Sequence, residues 1–238
     1  MNIEELAETY KPDDAGIKVV REAKMLFLVG IMSAGKDAIK NELLKKQEYS
    51  KIITHTTRLP RINNGVLEKD GENYYFVSFD GMAELLKSHQ MVEVNHFGDN
   101  YYGTSVNELH QTAYDGDIAI GAIDINGVLA FYDIAPNSTT AVFVVPPSYD
   151  IWIERIKNRY GSIDFFNIEW EKRRDITIDE IEFALKTPYL FFVVNDDLDE
   201  TVELADKIAH HDRDVIGNGD AKAREVALGL LEAIKRTP

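Results

Sequence analysis

The apolar run Met25–Val29 leads directly into Gly30-Ile31-Met32-Ser33-Ala34-Gly35-Lys36, and a helical pattern opens on the far side. The G-x-x-x-x-G-K spacing between a strand and a helix makes a loop whose backbone N–H groups turn inward to cradle a phosphate. Glycines allow the backbone angles that such a wrap requires. The helix start contributes partial positive charge, and Lys36 adds a full charge for the outer phosphates of a nucleoside triphosphate. Gly30, Ser33, Ala34, Gly35, Lys36, Asp37 and Ala38 are the loop's candidate ATP-binding residues.

A loop of this kind needs a parallel sheet behind it. Ile118–Ile123, Ala141–Val145 and Leu190–Val194 join Met25–Val29 as short apolar runs with little alternation, the pattern of buried parallel strands. Lys51–Ile53 is a weaker fifth. Helical patterns over Asp37–Lys46 and Ser148–Arg159 lie between them, which predicts an α/β fold with a central parallel sheet flanked by helices. Residues from about 58 to 110 read differently. Tyr74–Ser78 and Met91–Asn95 are strand-like pieces in a segment rich in Gly, Asn and Tyr, which predicts an inserted α+β lobe. In the tail, Val226, Ala227, Leu230, Leu231 and Ile234 form a helical stripe. Packing on the chain's own core is the favoured reading, with a homodimer contact as the alternative.

Composition removes several function classes. Forty-one acidic residues against 26 basic ones give a net charge of −15, which repels nucleic acid and anionic membranes. A local basic pocket for a small anion remains compatible with that surface. Without cysteine there is no disulfide, thiolate metal site or thiol nucleophile. No apolar run approaches the roughly 20 residues that a membrane span needs. Met1–Tyr10 is acidic and only mildly apolar, unlike a signal peptide, so a cytoplasmic location is expected.

Thr54-His55-Thr56-Thr57-Arg58-Leu59-Pro60-Arg61 carries the second site. Two arginines three apart, stiffened by proline, suit a divalent phosphate, because guanidinium binds phosphate bidentately. Here the sequence resembles the guanylate kinases, whose signature reads S-x-T-T-R-x-P-R. The resemblance continues through Glu68 to Phe76, Met91-Val92-Glu93, Asn100-Tyr101-Tyr102-Gly103-Thr104, Asp124 to Gly127, Val145-Pro146-Pro147 and Val194 to Leu198. It covers roughly residues 25 to 208 in the family's order.

The resemblance implies a P-loop kinase fold built as one domain over 1–238. The core would take about 25–57 and 111–208, the GMP-binding lobe about 58–110, and a helical lid about 158–176, with extensions 1–24 and 209–238. It implies Mg²⁺-assisted in-line transfer of a phosphoryl group from ATP to GMP. By position, Arg58, Arg61, Tyr74 and Tyr102 would hold the GMP phosphate, and Thr54, Glu93, Thr104 and Asp124 would read the guanine, with Glu68 in the same set. A carboxylate such as Glu93 accepts from guanine N1–H and the exocyclic amine, while adenine would leave it unpaired. Lys36, Arg58, Arg159 and Arg173 would be the catalytic cations, with Arg174 the alternative to Arg173. Asn195 would contact adenine.

Two positions depart from the pattern. Asp37 replaces the Ser/Thr whose hydroxyl ligates Mg²⁺, and Ala122 replaces the first Asp of D-x-D. The favoured reading makes Asp37 a direct metal ligand. Lost metal binding and a plain helix-start residue are the alternatives. The loop Ile62–Leu67 is also longer than usual. Other functions stay open: a kinase of another small phosphorylated acceptor, such as a ribose bisphosphate, or a weak nucleotide- or peptide-binding module. Retention of Gly30, Gly35, Lys36, Arg58 and Arg61 favours the enzyme.

Overall fold

The apolar runs of the sequence become strands because a parallel strand is buried on both faces and tolerates no polar alternation. The computed structural model describes residues 2–63, 65–160, 163–211 and 219–237, with the side chains at 63, 113–115, 160, 163–169 and 171–172 excepted. In chain order the first elements are α1 (Ile3–Thr9), α2 (Asp14–Glu22), β1 (Lys24–Val29), α3 (Lys36–Leu43), β2 (Tyr49–Lys51) and β3 (His55–Thr56). Next come β4 (Ile62–Asn63), β5 (Val66–Leu67), β6 (Tyr75–Phe76), α4 (Phe79–Lys87), β7 (Met91–Phe97), β8 (Asn100–Ser105) and α5 (Val106–Asp115). The remainder are β9 (Ile118–Ala122), α6 (Ile125–Ile134), β10 (Thr139–Val145), α7 (Tyr149–Tyr160), α8 (Ile163–Lys186), β11 (Leu190–Val194), α9 (Leu198–Ala209) and α10 (Gly219–Arg236).

The larger sheet is parallel, with strand order β11-β10-β1-β9-β2. Register runs Ala141↔Leu190 through Val145↔Val194, and Tyr49↔Ile118 through Lys51↔Ile120. The weak fifth strand thus lies two residues earlier than its apolar signal, although the Ile52 N–H still donates to Ile120 O. A second, mixed sheet has the order β6-β3-β8-β7, and β4 and β5 form a separate hairpin over the long loop. Strand structure in the expected Tyr74–Ser78 segment is limited to β6, at Tyr75–Phe76.

The chain forms two compact units. One comprises Leu26–Lys46, Ala122–Ile125 and Thr140–Pro238. Its α10 packs on α8 and β11, burying Ala223, Ala227, Leu230, Leu231 and Ile234. The tail stripe therefore covers its own chain. Arg224 stacks over the Phe192 ring at 4.2 Å while its Nε donates to Asp220 at 2.6 Å.

The other unit comprises Met1–Met25, Gln47–Gly121 and Asn126–Thr139. Its first residues are helical, which the sequence reading had not assigned. Asn2 and Glu5 form a reciprocal capping box at α1, and Asp13 Oδ1 accepts from Gly16 N to start α2. Ile3, Leu6, Ala7 and Tyr10 pack against Met82, Leu86, Met91 and Tyr101, and the Tyr10 hydroxyl donates to Met91 O at 2.5 Å. Among the described residues no helix is long and apolar enough to cross a membrane.

Candidate functional site

The phosphate loop joins β1 to α3 and bends through left-handed backbone at Gly30 (φ +137°), Ser33 (φ +59°) and Gly35 (φ +102°). A side chain at Gly35 would collide with Asn195 Nδ2, 2.0 Å from where its Cβ would sit, so glycine is required on steric as well as conformational grounds. That amide fastens the loop to the end of β11: Asn195 Nδ2 donates to Ala34 O at 2.8 Å. Arg155, on α7, donates to Asn195 O at 2.9 Å, and the Trp152 indole donates to Met32 O at 2.7 Å. The loop's shape is thus held from outside. Its own functional groups are held far less. The Lys36 ammonium bends back onto the carbonyls of Gly30 and Ile31, and the buried Ser33 Oγ has no hydrogen-bond partner among the described residues.

Charges around the loop are mixed. Burial lowers the Lys36 pKa, although Glu180 and Asp37 pull the other way. The protein packed around its inner side would raise Asp37 by desolvation, but with most of its surface open to solvent Lys40, then Lys36 and Arg159, prevail and hold it below the ordinary carboxylate value. Its side chain is 80% exposed and ion-paired with Lys40 at 2.6 Å. Burial raises Glu180, on α8; Lys36 and Arg173 oppose that rise and Asp124 adds to it. A cleft of about 510 Å³ here is lined by Ser33, Lys36, Asp37, Arg155, Arg159 and Asn195 among others, a size that suits a nucleotide.

On the mixed sheet, residues directly opposite one another share a face. Thr56 opposes both Phe76 and Tyr102, Asn95 opposes Tyr102, and Glu93 opposes Thr104. One face therefore carries Thr56, Phe76, Glu93, Asn95, Tyr102 and Thr104. At its edge Arg58 forms a two-pronged ion pair with Glu68, at 2.6 and 3.1 Å, both side chains 7% exposed. The Arg58 guanidinium lies over the Tyr74 ring at 4.9 Å, and the Tyr74 and Tyr102 rings are 6.2 Å apart. Glu68 Oε2 also accepts from Arg61 N at 2.8 Å. Burial would raise the Glu68 pKa, but the bonds from Arg58 and Arg61 hold it below its usual range, while Glu68 raises that of Arg58. Glu93 Oε1 accepts from Thr104 N at 2.8 Å, and the buried Thr104 Oγ1 has no partner.

The structure thus brings Gly30, Ser33, Ala34, Gly35, Lys36, Asp37, Arg159 and Asn195 together in one unit, and Arg58, Glu68, Tyr74, Glu93, Tyr102 and Thr104 in the other. Ala38 follows on the exposed first turn of α3. Arg61 is exposed, and Thr54 is half-buried with its carbonyl accepting from Tyr75 N at 2.9 Å. Asp124 belongs to the unit with the loop, in the field of Glu180. Of the expected lid, residues 161 and 162 and the side chains at 160, 163–169 and 171–172 lie outside the described residues. Both lid candidates are half-buried on α8; Arg173 acts on Glu180, and Arg174 Nε is buried without a partner among the described residues. Arg155, Trp152, Glu180 and Asn95 were missed as site residues. Arg155, Trp152 and Glu180 act through contacts across elements that no local spacing signals, whereas Asn95 stands two residues from Glu93 on one strand, where alternation could have found it.

A phosphate-cradling loop between a parallel strand and a helix, with a separate mixed sheet bearing a buried arginine and carboxylates, defines a P-loop protein of the α/β class. The guanylate kinase family matches residues 22–211, and the chain belongs to that family. It is 29% identical over 188 residues to a guanylate kinase of Prochlorococcus marinus, covering 78% of this chain and 96% of that one. It is 30% identical over 181 residues to one from Clostridioides difficile, covering 75% and 83%. The fold matches the crystal structure of guanylate kinase from Anaplasma phagocytophilum with a TM-score of 0.56 at 24% identity, over 90% of this chain and 95% of that one.

Proposed function

We propose that this protein transfers the γ-phosphoryl group of ATP to GMP, giving ADP and GDP. The observation that carries the reading is the buried Glu93 carboxylate opposite Thr104, whose buried hydroxyl has no partner among the described residues. A guanine edge presents two N–H donors and the O6 acceptor, which match a carboxylate and a hydroxyl. Adenine lacks the N1–H and the 2-amino group, so it would forfeit both contacts and turn its N1 lone pair toward the carboxylate. Arg58, with Arg61, Tyr74 and Tyr102, would take the phosphate of GMP, and Thr54 would add to the base contacts. Glu68 orients Arg58 and holds the Arg61 backbone, so its part is positioning.

On the donor side, Lys36 would leave the carbonyls of its own loop for the β- and γ-phosphates, with the loop N–H groups and Ser33 around them. Arg159 and Arg173 would stabilise charge on the transferring group. The 158–176 segment would act as the lid, the 58–110 segment as the acceptor lobe. The exposed Asp37 carboxylate, held ionised on the first turn of α3, fits a hard cation that keeps most of its waters; Lys40 would be displaced from it. Mg²⁺ bound there would neutralise phosphate charge.

The deciding measurement is coupled ADP release with GMP, dGMP, AMP and a ribose bisphosphate as acceptors. GMP is expected to be preferred over AMP by about 2–4 kcal/mol in kcat/KM, the scale for losing two hydrogen bonds to a charged group. Equal rates with GMP and AMP, or a faster rate with the ribose bisphosphate, would overturn the guanine reading.

A further inference from the structure

β7 and β8 bring a second polar side chain to the carboxylate proposed to read the base. Glu93 stands opposite Thr104 and Asn95 opposite Tyr102, so Glu93 and Asn95 are neighbours two residues apart on one face. The Asn95 amide donates to Glu93 Oε2 at 2.8 Å, while Thr104 N donates to Oε1 at 2.8 Å. A carboxylate only accepts, so the NH₂ end of Asn95 is the end that faces it. Each oxygen of Glu93 therefore has a donor from the protein itself, at a site where Glu93 is only 7% exposed.

This changes how the site would select its base. Rejection of an analogue that lacks a donor comes from the buried acceptor left behind with nothing to pair. A carboxylate satisfied only by its ligand would reject hypoxanthine, which keeps N1–H and O6 but has no 2-amino group. Here Asn95 supplies the bond that the missing amine would have made. The base without the amine forfeits one contact without orphaning an oxygen.

We propose that Asn95 is a specificity-determining residue that relaxes the demand for a 2-amino group, so that this chain accepts hypoxanthine nucleotides beside guanine ones. The proposal rests on the reading of Glu93 as the base-recognising carboxylate. Asn95 acts through Glu93 and is a positioning residue, with no part in the chemical step.

The test is equilibrium titration of GMP and IMP into the wild-type protein and Asn95→Ala. With Asn95 removed, Glu93 Oε2 loses that donor, so the ratio of IMP to GMP dissociation constants is expected to rise about fivefold or more, mainly through weaker IMP binding. A loss of strand structure would weaken both nucleotides alike and leave the ratio unmoved, which separates selectivity from stability. Asn95→Val, a residue that suits a strand, takes the place of the alanine variant if that one melts below the assay temperature. If GMP binds and the ratio is unchanged or falls, the role of Asn95 is overturned and the kinase reading stands. If the wild-type protein binds neither nucleotide, the acceptor reading falls and this proposal with it.

Discussion

The two halves of the candidate site are built on opposite principles. On the mixed sheet the functional charges are already paired: Arg58 with Glu68, and Glu93 with Thr104 N and Asn95. At the phosphate loop the frame is fixed by Asn195, Arg155 and Trp152, but Lys36 rests on the loop's own carbonyls and Ser33 Oγ has no partner. An acceptor surface stiffened by ion pairs presents a preformed shape, and ordering it costs little when ligand arrives. A loop that satisfies its lysine internally must exchange those bonds for phosphate. Changes on the sheet should therefore cost stability as well as binding. Changes in the loop should cost turnover and leave folding alone.

The largest effect is expected at Glu68. Glu68→Ala leaves Arg58 buried and unpaired, and should lower unfolding free energy by about 3–5 kcal/mol in denaturant titration. The pair also has a pH signature. Arg58 holds the folded pKa of Glu68 below its unfolded value, so the stabilisation is complete above the unfolded pKa and is lost as pH falls through the folded one. Glu68→Ala should flatten that acid limb. A variant with wild-type melting behaviour would erase the contrast between the halves.

Lys36→Met tests the other side of the comparison. It should reduce kcat by about 10²–10³, the scale for removing one preorganised charge from a transferring group, with melting temperature unchanged. A folded variant within threefold of wild type would show that the loop is not the donor site.

Glu93→Gln comes next. It should weaken GMP by roughly 2 kcal/mol in calorimetric titration and leave ATP binding unaltered, because the replaced oxygen belongs to the sheet. Loss of ATP affinity of similar size would blur the division of labour.

A smaller change is expected at the Mg²⁺ ligand. Asp37→Ala should raise the Mg²⁺ concentration needed for half-maximal turnover about tenfold, near 1.4 kcal/mol, and Asp37→Ser should recover most of that loss. Asp37→Ser should also tighten ATP measured without metal, since it removes a negative charge beside the phosphates. An alanine variant with an unchanged Mg²⁺ response would reduce Asp37 to a helix-start residue. The smallest effect belongs to the N-terminal helices. Tyr10→Phe removes one bond to Met91 O and should cost about 1 kcal/mol of stability, with ATP binding untouched.

What the sequence determined by itself was whatever depends on neighbours along the chain. The loop was legible in Gly30, Gly35 and Lys36 because its backbone geometry and its charge are set within seven residues. The core strands were legible because burial on both faces demands unbroken apolar runs, as at Leu190–Val194, which matches β11 residue for residue. Arg58 and Arg61 could be paired by eye for the same local reason. The tertiary structure alone decided which groups share a bond across elements. Lys51–Ile53 carries an apolar signal, but strand pairing is set by register with β9 and ends at Lys51. The Asn2 and Asp13 caps are local, yet α1 and α2 bury their apolar sides against distant elements, α4, α5 and β7 among them, so 1–24 could not be read as part of a packed unit. The charge of Asp124 acts on Glu180 of α8, a pairing that no local spacing signals. Asn95 is an unremarkable polar residue in its strand. Its bond to Glu93 follows from strand alternation, but only the pairing with β8 sets Thr104 opposite that carboxylate. Side-chain hydrogen bonds reach about 3 Å, and no spacing along a chain encodes which distant strand will come that close.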